Sequence, residues 1–224
     1  METTEQTRRD FIKKGAMVGG VAWAAPTILS MSSAHAQTAL YQCCPDCRAA
    51  ATGLRVNLPL VNPVSFGVAT GPSQTCAVVT NVGNVLAAGV ACGSANSDQC
   101  TATGELVANP NTPGQPASVN VGGVVLITAS VLRGQVRCGP NGLEGSSTIV
   151  ALTINGNPVT LTSNCQSVIS ITGATITLNE QTCNNGRLTV RALHVVVPGL
   201  GIDVVAGEAS AGAPGCTCVA APRC

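Results

Sequence analysis

The chain has 224 residues, 11 basic and 10 acidic side chains, 12 cysteines and only 2% aromatic residues. So even a charge balance excludes the basic surface that nucleic-acid binding and electrostatic docking to anionic lipid require. With so few aromatic rings, a core must be assembled from Val, Ile, Leu and Ala.

Residues 1–36 read as an export signal. Arg8 and Arg9 stand before an apolar run, Gly15 to Leu29, that carries no charge, and the small residues Ala34-His35-Ala36 follow. A basic start, a short apolar stretch and an A-x-A cleavage site make a secretory signal peptide, and the paired arginines indicate the twin-arginine route. The run is shorter than the ~20 residues that cross a bilayer, so cleavage near Gln37 is favoured over a retained anchor. No later segment is long and apolar enough to span a membrane, and Ala220 to Cys224 carries no sorting motif or hydrophobic tail. The expectation is a mature single cysteine-rich β domain, 37–224, secreted or held at the cell surface. In it the arginines 48, 55, 133, 137, 187, 191 and 223 balance Asp46, Asp98, Glu105, Glu144, Glu180, Asp203 and Glu208.

Beyond the signal no stretch has a helical period. Gly and Pro recur, and Val, Ile and Thr dominate between them, the pattern of many short strands. Strands are predicted at Leu54–Val61, Cys76–Val79, Val85–Val90, Ser118–Val121, Val124–Val136, Thr148–Ile154, Pro158–Thr162, Val168–Leu178, Leu188–Val197 and Ile202–Ala209. The proline-rich stretch from Ala108 to Pro116 is predicted as a loop. Asn155-Gly156 reads as a type I′ hairpin, whose central residues need positive φ; it sets Leu152 opposite Val159 and Val150 opposite Leu161 on one apolar face. Asn185-Gly186 makes a second hairpin, pairing Glu180 with Arg191. Pro198-Gly199-Leu200-Gly201 makes a third, pairing Arg191 with Glu208. An all-β antiparallel sandwich with a hairpin meander follows, with a β-solenoid as the alternative, although no fixed repeat period supports it.

The acid–arginine–acid row resembles a site, but a cross-strand ion pair that fixes register explains it as well. Uninterrupted alternation puts Val190, Ala192, His194 and Val196 on the opposite face, with Asp203 diagonal to His194. A His–Asp pair can orient a general base, yet no activated nucleophile stands near it in sequence; Ser210 is merely close. A histidine held by Asp203 is the preferred reading.

Cys43, Cys44, Cys47, Cys76, Cys92, Cys100, Cys138, Cys165, Cys183, Cys216, Cys218 and Cys224 all follow the signal. An even number in an oxidising compartment points to disulfides. Neighbouring Cys43 and Cys44 are expected to have different partners, and one arrangement ties Cys43, Cys44 and Cys47 to Cys216, Cys218 and Cys224. The competing reading is a thiolate metal site on Cys44, Cys47, Cys216 and Cys218. Disulfides are preferred, and no cofactor is expected.

The run from Thr189 to Gly212, with Arg191, His194, Pro198-Gly199-Leu200-Gly201, Asp203 and Glu208 in it, resembles the end of the choice-of-anchor P proteins, exported β-rich proteins of actinobacteria. Ile154 to Leu161 and Ile176 to Gln181 fit the same resemblance, which spans Ala117 to Gly212. It implies an extracellular or surface β-domain with no established activity and no catalytic residues to carry over. The chain departs from that pattern in its wealth of cysteine and in lacking a C-terminal anchor. The functional expectation is a structural or interaction protein of the cell exterior, not an enzyme, with an unidentified extracellular or envelope partner. A secreted hydrolase and a thiolate metal or redox protein are the alternatives.

Overall fold

The computed structural model describes residues 44, 46–79, 81–112, 114–161 and 165–219, all within the compact unit Ala36–Cys224. Arg8, Arg9, Ala34, Ala36, Cys43 and Cys224 lie outside the described residues. The strands are β1 (Arg48–Leu58), β2 (Val61–Thr70), β3 (Ser73–Val78), β4 (Val85–Ala88), β5 (Val90–Asn96), β6 (Thr101–Val107), β7 (Ala117–Val121), β8 (Val125–Ala129), β9 (Val131–Gly139), β10 (Gly142–Val150), β11 (Thr153–Ile154), β12 (Asn157–Pro158), β13 (Ser167–Ile171), β14 (Ala174–Asn184), β15 (Arg187–Val197), β16 (Ile202–Gly212) and β17 (Cys218–Val219). The fold is an antiparallel sandwich, as expected, and not a solenoid. One layer is the six-stranded sheet β13-β14-β15-β16-β1-β2; the other combines β17-β10-β9-β6-β5-β3 with β12-β11-β8-β7-β4.

Three strands predicted as single runs are ribbons that change sheet. Val85–Val90 breaks at Gly89 (φ 141°), and Thr148–Ile154 breaks at Ala151 (φ 53°). Val124–Val136 turns at Ser130, whose N–H donates to the Val150 carbonyl while its own carbonyl accepts from Ala108 N–H. The second layer is thus one ribbon surface creased along these residues, the way sandwich corners are usually made. The crease corrects one expected pairing. Leu152 does sit across from Val159, whose N–H donates to the Leu152 carbonyl, but Val150 stays in the other sheet opposite Val131 and is exposed. β2 and β6 were not foreseen, and Val168–Leu178 proves to be two strands turning at Gly173.

The two layers meet backbone to backbone. Gly93, Gly104 and Gly134 face one another across β5, β6 and β9, each at an inward position, and together they form a trench with no side chains in it. A Cβ on Gly104 would strike the Glu208 and Thr52 carbonyl oxygens, and one on Gly134 the Gly207 carbonyl. The six-stranded sheet fills the trench with one row: Gly67, Gly53, Gly207, Ala192 and Asn179. Gly207 (φ 64°) and Asn179 (φ 51°) are left-handed there, conformations that glycine and asparagine adopt at least cost.

Alternation slips by one residue along that row in every strand. On β16, Ile202, Val204 and Ala206 point inward, and beyond Gly207 so do Ala209 and Ala211; on β1, Ala49 and Ala51 give way to Leu54 and Val56. The seam also divides the core. One side holds Leu54, Val56, Leu106, Ile127, Leu132, Ile176, Leu178, Leu193 and Val195. The other is mostly alanine, with Val136, Leu143, Leu188 and Val190.

Three disulfides hold the alanine side. Cys44–Cys216 joins the two ends of the domain, Cys47–Cys100 ties the lead-in to β1 to the turn before β6, and Cys183–Cys218 links β14 to β17 across the layers. Cys76–Cys92 bridges residues directly opposite on β3 and β5. Among the described residues the expected tie between chain ends holds for Cys44–Cys216, whereas Cys47 and Cys218 pair elsewhere, with Cys100 and Cys183. Cys138 and Cys165 are also disulfide-bonded. β17 caps the β10 edge, pairing Cys218 with Leu143, and so covers backbone groups that an open edge would expose.

Gly104→Val should lower the unfolding free energy by about 3 kcal/mol or more, because the added side chain meets unyielding backbone. Gly199→Ala, where nothing lies within 4 Å, should change it by less than ~0.5 kcal/mol. Urea unfolding of both variants checks this.

Candidate functional site: a charge lattice on the outer face

The slip brings together residues that simple alternation would separate. Glu180 lies opposite Arg191, and Arg191 opposite Glu208, the row read from the hairpins. His194, expected on the far face, is on this one. Beyond Ala192 the outward positions move from odd to even, so Arg191 and His194 project on the same side while Val190, Ala192 and Val195 are buried. Arg55 and Val205 are paired in the adjacent row, and Val205 is paired with His194.

Six charged side chains then alternate in sign around Val205. Arg55 Nη1 and Nη2 donate to Glu208 Oε1 and Oε2 at 2.9 and 3.1 Å, a bidentate pair. Arg191 Nε donates to Glu208 Oε2 at 2.7 Å and its Nη1 to Glu180 Oε2 at 3.0 Å. Glu180 Oε2 also lies 2.8 Å from His194 Nδ1, and His194 Nε2 is 3.2 Å from Asp203 Oδ1. That last contact is an electrostatic approach, as neither atom completes a hydrogen bond among the described residues. The side chains of Glu180 and His194 are each 17% exposed, and Val205 is buried beneath the lattice although it points outward.

The electrostatics agree with a protonated histidine. Its hydrogen bond to His194 comes first in holding the Glu180 carboxyl down to about 2, with Arg191 adding to it against the opposing effect of burial. The Glu180 hydrogen bond likewise raises His194 above its ordinary 6.5, outweighing burial, and Asp203 reinforces it while Arg191 opposes it. Both imidazole nitrogens face carboxylates. Ser210, the hydroxyl noted as close in sequence, is directed elsewhere, accepting from Arg187 Nη2 at 2.8 Å. The arrangement therefore acts as a cross-strand clamp over four strands, with His194 a charged member of it. The His–Asp neighbour pair was legible in the sequence; the closer Glu180 partner was not.

The cysteines gather at the other end. The sulfurs of Cys44, Cys47 and Cys100 lie within 4.8 Å of one another, so the C-x-x-C is compact enough for a shared ligand if reduced. Here those sulfurs belong to the Cys44–Cys216 and Cys47–Cys100 bridges, and no described cysteine is a free thiol. Cys218, the fourth residue of the competing thiolate set, is bridged to Cys183. In this state the set offers disulfide sulfur, not the thiolate that binds zinc or iron.

Comparison with protein-family models, with curated proteins and with solved structures gives no match for this chain.

Glu180 contributes stability in full above its ordinary 4.5 and loses it as pH falls toward 2. His194 contributes in full below 6.5 and loses it as pH rises through its higher folded value. Stability from this pair should thus peak between those two ordinary values. Chemical unfolding across a pH series should show a decline as pH rises from 6.5 that His194→Gln abolishes; an unchanged slope in the variant would contradict the lattice.

Proposed function

We propose that this chain is an exported structural or interaction protein of the cell exterior, sent out by the twin-arginine route and working as a rigid β-domain. The observation that carries the reading is that the disulfides Cys44–Cys216, Cys47–Cys100 and Cys183–Cys218 join strands and chain ends around an alanine-rich half-core. Small buried side chains contribute little transfer free energy, whereas each unstrained bridge contributes about 2–4 kcal/mol. Such a domain suits an oxidising compartment. The paired Arg8 and Arg9, the Ala34-His35-Ala36 site and the resemblance of Ala117 to Gly212 to choice-of-anchor P proteins support the same reading.

Two outcomes test it. Replacing Arg8 and Arg9 together with lysine should leave the protein in the cytoplasm, whereas the wild-type form recovered outside should begin at Gln37. The exported protein should resist heat and protease until reductant is added; equal lability with and without reductant would refute the structural assignment.

A further inference from the structure

The arginines divide into two groups. Arg55, Arg133, Arg137 and Arg191 each pair with a glutamate. Arg48 and Arg187 have no carboxylate partner among the described residues, and both line the same cavity of about 500 Å³. Register explains the placement. Gly212 at the end of β16 is opposite Arg48 on β1 and opposite Arg187 on β15. The two arginines therefore flank a residue with no side chain, their Cα atoms about 10 Å apart by strand spacing. Asp46, Asn184, Asn185, Ala213 and Pro214 complete the lining.

We propose that this cavity binds a hydroxylated carboxylate, of the kind presented by a uronate unit in an acidic saccharide. Arginines that line a cavity without a carboxylate partner suit a carboxylate ligand, which guanidinium groups bind through parallel N–H donors. Asp46 leaves the lining with one net positive charge and offers an acceptor for a hydroxyl, which favours a singly charged ligand over a multiply charged oxyanion. The Asn184 and Asn185 amides supply further donors and acceptors, and Ala213 and Pro214 give an apolar surface for a sugar's C–H face. The volume lies within the usual range for small-ligand sites, about 300–1,000 Å³. The walls are fixed in advance. Ser210 Oγ accepts from Arg187 at 2.8 Å, and the Ala213–Cys216 turn is closed by a hydrogen bond from Cys216 N–H to the Ala213 carbonyl at 3.1 Å. Cys44–Cys216 and Cys183–Cys218 anchor the segments on either side. Preorganisation of this sort lowers the ordering cost of binding.

Calorimetric titration of the oxidised protein with trigalacturonate tests it, with its methyl-esterified counterpart and inorganic sulfate as comparisons. Saturable binding is expected for the acid and not for the ester. Arg48→Gln and Arg187→Gln should each weaken it about tenfold or more, while Arg133→Gln, away from the cavity, should not. Arg48 is exposed, so its variant keeps the test independent of folding; a thermal melt of each variant accompanies the titration. Absence of saturable binding to trigalacturonate at millimolar concentration overturns the proposal. So does equal weakening by Arg133→Gln, or binding unaltered in both cavity variants. Sulfate binding as tightly as the saccharide overturns the assignment of a hydroxylated carboxylate.

Discussion

The approach of one sheet's backbone to the other along a line of glycines governs this molecule. Sandwich layers ordinarily stand ~10 Å apart, separated by interdigitating side chains. At Gly93, Gly104 and Gly134 there are none, and the opposing row presses into the gap. To do so every strand in that row slips by a residue, and the slip determines which side chains face out. Arg191 and His194 share a face for this reason, and Glu180 reaches both. The charge lattice is a consequence of the seam, and it in turn clamps the outer side of the kinked strands.

The seam also separates two kinds of packing. On one side large aliphatic residues fill the space between the layers. On the other the layers stay close, only alanine-sized side chains fit at most inward positions, and burial yields less. The disulfides Cys44–Cys216, Cys47–Cys100 and Cys183–Cys218 are all placed there. Covalent ties compensate where the core is thinnest, and they also immobilise the loop and hairpin that border the Arg48–Arg187 cavity.

Much of the second half was legible in the sequence because its turns are chemically explicit. Asn185-Gly186 and Pro198-Gly199-Leu200-Gly201 impose their registers, and those registers set Glu180, Arg191 and Glu208 in one row. The face of His194 was not legible, because alternation counted from Arg191 assumes an unbroken pleat. The missing signal was glycine inside strands, which marks close backbone approach. Gly104 and Gly134 carry it, yet their meaning depends on pairing between strands far apart in the chain. The creases at Gly89, Ser130 and Ala151 were hidden for a similar reason, since a ribbon that changes sheet keeps a continuous apolar pattern. Cysteine partners likewise follow from spatial neighbours such as Cys76 and Cys92, which spacing alone does not specify.

The outer face thus carries a neutralised lattice at its middle and, among the described residues, two arginines without a carboxylate partner at its end. All of it rests on the two layers touching at the glycine row. Nuclear Overhauser spectra of the oxidised, isotope-labelled protein address this contact directly. Cross-peaks from Gly53 Hα to the Cys92 amide and from Gly207 Hα to the Gly134 amide are predicted, as those groups meet across the interface. Their absence, with only side-chain contacts linking the two layers, would show a sandwich of ordinary spacing and contradict the account.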